Sequence, residues 1–427
     1  MHLVSSRRLR AAAAGAVALA LVLTGCSSDG SFSYTAPDQV EQALPEETAA
    51  QLQESVENAM AKTGATGAIV GVWVPWSGTW VTGLGTQSVE DQTAVTADMT
   101  FRVGDVTRLM TCDILYALAD DDVVELDGPV PEYVSGVAQL GDITLLDLCN
   151  GTAGIGSSES AVRGAWANTP KRVWAPLELA SFGLGQDRTE PHTTYRDSDA
   201  SYLLLGLALE RASGMTASEL VEEYISDPLD LAATSLPGPA AAAPGDNPLS
   251  GNRLKAIDGG YDCTAQADTT VLSSSTGFTD SGAVSTIDDL GAFVQATARQ
   301  GLREDGAEPD QFGSPLPASS KAPTWYQATG GARLVGPLVG QHGWTPGYST
   351  AAYADPETGF AVAVVLNNSA TRGSSAAYLA WELAAIASKA PVADGQTAPE
   401  FGLPFTAEQY RASIDGLTVC ATPLPAE

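Results

Sequence analysis

The chain has 427 residues, with 21 Lys+Arg against 51 Asp+Glu and a formal net charge of -30 at pH 7. A surface this acidic repels phosphate backbones and anionic headgroups, which excludes nucleic-acid partners and electrostatic docking on lipid. No metal site or cofactor is expected, because only His2, His192 and His342 occur and no Cys-x-x-Cys or His-Cys cluster offers a ligand set.

Residues 1–25 read as a lipoprotein signal peptide, with Arg7, Arg8 and Arg10 ahead of an apolar run from Ala11 to Leu23. The run ends in Leu23-Thr24-Gly25-Cys26, which looks like a bacterial lipobox. Cleavage before Cys26 would leave a lipidated cysteine and a protein anchored to the cell membrane at its extracytoplasmic face. Residues 26–45 carry Ser, Asp, Pro and Gly without hydrophobic periodicity, as a flexible tether would.

Glu46 to Lys62 has helical spacing, with Leu52, Val56 and Met60 on one side, and Gly67 to Leu84 reads as two strands around the turn Pro75-Trp76-Ser77-Gly78. Val106 to Ala119, Leu203 to Ala212 and Ala217 to Tyr224 read as helices, and Pro237 to Gly251 as an Ala/Pro/Gly-rich loop. Ser285 to Gln300 is a capped helix. Ala328 to Val335, Tyr348 to Ala354 and Gly359 to Asn367 are short strands, and Ala376 to Ala390 is a closing helix. This order predicts an α+β fold: an antiparallel sheet flanked by helices and built from both chain ends, 46–125 and 255–390, with a helical lobe over 126–254 inserted between. Residues 391–427 form a C-terminal extension. Besides Cys26 there are Cys112, Cys149, Cys263 and Cys420, an even number that points to two disulfides in an exported protein. Of the three pairings, Cys112 with Cys149 and Cys263 with Cys420 is favoured, since the second would pin a Pro-rich tail with little core of its own.

Three motifs in order carry a resemblance. Phe101-Arg102-Val103-Gly104-Asp105-Val106-Thr107-Arg108 looks like a Phe-Arg-Ile-Gly-Ser-Val-Thr-Lys segment. Leu126-Asp127-Gly128-Pro129-Val130 and Asn150-Gly151-Thr152-Ala153-Gly154 follow in register. Tyr202-Leu203-Leu204-Leu205-Gly206 then places Asp197 and Asp199 at the ends of a Tyr-x-Asn motif, and Gln341-His342-Gly343 stands at a Lys-Thr-Gly or His-x-Gly position ahead of Gly347-Tyr348. Over residues 46–390 the chain resembles the serine β-lactamase-related family, which includes class C β-lactamases, D-alanyl-D-alanine carboxypeptidases and esterases. The resemblance implies that fold and an acyl-serine mechanism, but all three motifs are degenerate.

In that mechanism, as the resemblance implies, a serine attacks an acyl carbonyl while a lysine and a tyrosine manage its proton. Asp105 stands at the nucleophile position, where carboxylate attack on an amide gives an anhydride more reactive than the starting acyl group. Arg108 replaces the lysine and cannot act as a base, with a pKa above about 12. Asp197 replaces the tyrosine and Gln341 the cationic strand residue. His342 lies one place too late, so strand alternation turns it to the other face.

The expectation is therefore a non-hydrolytic protein that binds a ligand or partner at the former cleft; the alternative is an active hydrolase with a non-standard nucleophile. The cleft is expected to gather Asp105, Asp197 and Asp199 against Arg108 alone, with Asp105 and Arg108 pairing as i, i+3 neighbours. Such a pocket suits a cationic small ligand, with Gln341, Trp344 and Tyr348 among its walls. The competing use of the cleft is docking of a cell-envelope protein.

Overall fold

The first helix, α1 (Glu46–Thr63), starts behind Pro45 with Glu46 and Glu47 in its first turn, where carboxylates complement the helix dipole, and stops at Gly64 in the left-handed region at φ 73°. It belongs to a computed structural model that describes residues 34–424 apart from 305 and 418. The signal segment expected over 1–25 and Cys26 lie outside the described residues. The tether expected over 26–45 is corrected at its C-terminal end. There Leu44 donates its N–H to the Thr79 carbonyl at 2.9 Å, and Thr79 donates in turn to Gln42 at 2.8 Å, so this stretch is tied to the sheet edge.

After β1 (Gly67–Val74) and β2 (Gly78–Gly85), the chain enters α2 (Thr107–Asp120), whose residues from Thr107 to Tyr116 are all buried. A helix buried all round needs little amphipathic stripe, and the charged residues of this buried run, Arg108 and Asp113, have partners. The helical lobe follows, with α3 (Leu145–Asn150), α4 (Glu159–Asn168), α5 (Pro176–Leu184) and α6 (Asp199–Ser213). A hairpin of β3 (Asn252–Ile257) and β4 (Gly260–Asp268) then leads to α7 (Ile287–Ala298), with Thr286 as its cap.

Six further strands complete the main sheet: β5 (Leu316–Pro317), β6 (Tyr326–Thr329), β7 (Ala332–Val335), β8 (Leu338–Thr345), β9 (Tyr348–Ala354) and β10 (Ala361–Leu366). The order across it is β2-β1-β10-β9-β8-β7-β6-β5, antiparallel throughout, so both chain ends contribute. Every residue of β10 is buried, because Val362, Val364 and Leu366 face one core and Ala361, Ala363 and Val365 the other. At ~1.5–3 kcal/mol for a fully buried aliphatic side chain, this strand is a main contributor to burial in both cores. One core joins the sheet to α2, α7 and the helical lobe; the second joins it to α1 and α8 (Ser374–Ala387).

Three readings from sequence are refined. Ala328 to Val335 is a hairpin rather than one strand, because Gly330 and Gly331 turn at φ 57° and 78°. The β3–β4 hairpin was not anticipated, since its residues are largely exposed and polar. The C-terminal extension carries its own helix, α9 (Ala407–Asp415), whose Tyr410 and Ile414 enter the second core. Both disulfides join the favoured partners, Cys112–Cys149 and Cys263–Cys420. The second fastens the terminal strand β11 (Cys420–Thr422) beside β4.

Candidate active site

Gly104 sets the approach between α2 and β8. Its φ is 56°, and a Cβ there would stand 3.0 Å from the Trp344 backbone, so a glycine lets the turn before α2 lie directly on the strand. Asp105 follows in that turn, and the Trp344 N–H points at its Oδ1 at 3.4 Å. On the strand side Gly343 leaves the space the carboxylate fills.

Arg108, on the first turn of α2, is 4% exposed and is held by three carboxylates. Its Nε donates to Asp280 Oδ1 and its Nη1 to Asp197 Oδ1, each at 2.8 Å, while Asp105 Oδ2 lies 3.6 Å from Nη2. The guanidinium also lies over the Tyr202 ring, 4.8 Å from its centroid. The expected Asp105–Arg108 pair is therefore present but is the longest of the three, and it is buried rather than a surface i, i+3 contact. Asp197 Oδ2 accepts from Arg333 Nη2, so this carboxylate bridges two guanidiniums. Arg333 in turn lies over Tyr195.

These contacts set the ionisation of the cluster. Burial pushes the Asp105 carboxyl well above its ordinary range; Arg108 opposes this, and Asp280 and Asp197 add to it. Burial also raises Asp280, to about 6, against the pull of Arg108. Asp197 is half exposed; partial desolvation would raise its carboxyl, but Arg108 and Arg333 outweigh this and hold it well below the usual range.

The groups enclose a cavity of about 320 Å³ between β8, the start of α2 and the helical lobe. Its charged lining is more balanced than the sequence indicated. Glu159 and Asp280 join Asp105, Asp197 and Asp199, and these five carboxylates face the guanidiniums of Arg108, Arg333 and Arg372. Trp344 lines the cavity as expected and packs against Trp166, with ring centroids 6.3 Å apart. Asp199 also lines it, with Oδ1 accepting from the Ser158 N–H at 2.6 Å.

Two expected wall residues lie elsewhere. Tyr348 is fully buried and donates its hydroxyl to the Leu249 carbonyl at 2.7 Å, because the turn at Gly347 carries it behind the strand. Gln341 is 1% exposed and its Nε2 donates to the Gly331 carbonyl at 2.7 Å, which binds β8 to the β6–β7 turn rather than facing the cavity. His342 contributes to the cavity lining, but its Nδ1 is 2.5 Å from the Tyr353 hydroxyl and its ring edge-on to Trp381, and burial lowers its pKa to about 3. A neutral imidazole held there supplies no cation to the cavity.

The residues missed were Asp280, Arg333, Glu159, Arg372 and Trp166. A cation inside the apolar run Ala332-Arg333-Leu334-Val335 was a usable signal, since a strand buries such a residue only with a partner. Asp280 gave none, lying in the four-residue helix Phe278–Ser281 with no periodicity around it.

The beta-lactamase family model matches residues 52–385. Over 145 residues the chain is 29% identical to the D-alanyl-D-alanine-carboxypeptidase/endopeptidase AmpH of Escherichia coli (strain K12), covering 32% of this chain and 37% of that protein. Over 182 residues it is 25% identical to the unguisins hydrolase ungD of Aspergillus violaceofuscus (strain CBS 115571), covering 40% of this chain and 32% of that protein. The matches thus span only about a third of these relatives' own length. Among solved structures, a D-stereospecific amidohydrolase from Streptomyces sp. superposes with a TM-score of 0.67 at 22% identity, over 78% of this chain and 96% of that one. The octameric penicillin-binding protein homologue from Pyrococcus abyssi gives a TM-score of 0.62 at 19% identity, over 79% and 76%.

Proposed function

The chain belongs to the beta-lactamase family, and from that premise we propose that it is a non-hydrolytic member that binds a ligand or partner in its cleft. The carrying observation is the state of Arg108. It is buried with Asp280 and Asp197 on its nitrogens and cannot take a proton from anything at position 105. Asp105 adds to this reading, since burial raises its pKa and so favours the protonated acid, which is not a nucleophile toward an acyl carbonyl. The signal-like residues 1–25 and the Leu23-Thr24-Gly25-Cys26 motif support a second part of the proposal, that the protein works as a lipoprotein at the extracytoplasmic face of the membrane.

The test is turnover of nitrocefin and of short-chain nitrophenyl esters, with fluorescent penicillin labelling, beside an Asp105→Ser, Arg108→Lys, Asp197→Tyr variant. The expected result is no turnover and no label on the natural protein. A covalent label or steady turnover by the natural protein overturns the proposal.

A further inference from the structure

We propose that α4 (Glu159–Asn168) is a lid over the Trp344 side of the cavity, hinged at Ser158 and Pro170 and held shut by the Trp166–Trp344 and Glu159–Arg372 contacts. This rests on the reading of the cleft as a binding site, and it names what controls entry to that site.

The ends of this segment are fastened to the body and its middle is not. At one end the Ser158 N–H donates to Asp199 Oδ1 at 2.6 Å and its Oγ accepts from the Gly183 N–H at 3.0 Å; at the other the Pro170 carbonyl accepts from the Ser273 N–H at 2.9 Å. Between them only Val162 and Trp166 of the ten α4 residues are buried, whereas ten of the fifteen in α6 are. Among the described residues the one polar side-chain contact from α4 to another element is the 3.6 Å ion pair from Glu159 to Arg372, and with Arg372 58% exposed water screens it. The helix is also weak in itself. Gly164 sits in its interior although a Cβ there would meet nothing within 4 Å, so no packing asks for a glycine. The Ser158 hydroxyl, engaged with Gly183, does not cap the first turn.

What this helix covers is the cavity. Glu159 and Trp166 line it from α4, and their partners Arg372 and Trp344 line it from the loop before α8 and from β8. Trp344 is also the residue whose N–H points at Asp105, so the two indoles close over the side of the cavity where Asp105 lies. Few buried contacts and a poor helix place α4 at the low-stability end of the molecule, where local opening precedes global unfolding. Ten residues are too few for a helix to persist in water without its seat, the threshold being about 12–15, so leaving the cavity also unravels α4. Its backbone amides therefore report opening, and opening lays bare Trp344 and widens the way to Asp105.

The experiment is hydrogen exchange by mass spectrometry on the full-length chain in detergent, comparing α4 with α6. We expect α4 to exchange at least about tenfold faster than α6. Arg372→Ala should quicken α4 by about two- to fivefold and Trp344→Leu by about three- to tenfold, with α6 unmoved. Gly164→Ala fills open solvent, touches nothing in the cavity, and should slow α4 by about two- to fivefold. The link to the cavity is read from Asp105→Cys, which sets a thiol beside Trp344. Its reaction with a maleimide, scored at that position by peptide mass, should quicken with Arg372→Ala and slow with Gly164→Ala. Should that variant fold poorly, Ser281→Cys on the same cavity wall takes its place. Exchange in α4 as slow as in α6, or a labelling rate that Gly164→Ala leaves unchanged, overturns the proposal. Penicillin labelling is read separately: a labelled protein whose α4 opens sinks the non-hydrolytic reading alone, and an unlabelled one whose α4 stays shut sinks this inference alone.

Discussion

Asp105 and Gly343 are in such close approach that a Cβ on Gly343 would stand 2.1 Å from the Asp105 Cγ. The carboxylate therefore lies flat against the β8 backbone, and the two positions constrain each other across the gap between strand and helix. A nucleophile at this place would need free space on the strand side for a substrate, and the Asp105 carboxylate fills some of that space itself.

Gly343→Ala is expected to destabilise the fold by about 1–3 kcal/mol through overpacking against Asp105. The same substitution in an Asp105→Gly background, which also removes the Cβ that would stand 2.3 Å away, should cost markedly less, giving a coupling energy within the ~0.5–3 kcal/mol seen for residues in contact. Urea denaturation of the four proteins measures it. Additive costs would show that the clash at Gly343 arises from other neighbours.

Arg108 is the second point of strain on substitution. Arg108→Met leaves Asp280 buried without its cation, and breaking a buried pair from one side costs about 3–5 kcal/mol. Arg108→Lys should cost less, because an ammonium keeps the charge but cannot reach all three carboxylates in one geometry. Asp197→Asn should be milder still, since Asp197 is 53% exposed and water screens its two ion pairs. The denaturation midpoints should fall in that order, and an Arg108→Met protein as stable as the natural one would contradict the assignment.

That one antiparallel sheet draws on both chain ends was legible because its inner strands are largely apolar. Tyr348 to Ala354 and the run ending at Asn367 stand out against their turn residues, and the Thr286 cap marked α7. The β3–β4 hairpin was not legible, as Arg253, Lys255 and Ala256 are exposed and leave no apolar alternation to read. At the site, the segment from Phe101 to Arg108 and the spacing to Tyr202 gave Asp105, Arg108 and Asp197. What spacing could not give was a partner arriving from elsewhere in the fold: Arg333 reaches Asp197 across 136 residues and Asp280 reaches Arg108 across 172. Those two contacts turn an expected acidic pocket into a paired one. Tyr348 failed for the same reason, since the Leu249 carbonyl that holds its hydroxyl lies 99 residues away.

Acidification should stabilise this protein down to mildly acidic pH, and Asp113 should carry a measurable share. Its carboxyl is 3% exposed on α2, accepting from Thr297 Oγ1 at 2.7 Å and from Gln311 Nε2 at 2.9 Å, with Arg303 as the nearby cation. Burial outweighs those three and raises its pKa from 3.8 to about 7. A carboxyl raised in this way holds its proton more tightly folded than unfolded. Its contribution is fully present below 3.8 and is lost as the pH rises through about 7. At ~1.4 kcal/mol per pKa unit the contribution is of the order of a few kcal/mol. Asp280, raised to about 6, acts in the same direction over a narrower window, as does relief of repulsion in a chain of net charge -30. Asp113→Asn separates the terms: the amide does not titrate, so the variant's melting temperature should fall less steeply than that of the natural protein as the pH rises from about 4 to about 7. Parallel profiles for the two proteins would show that Asp113 is ionised throughout and that its burial does not outweigh its hydrogen bonds.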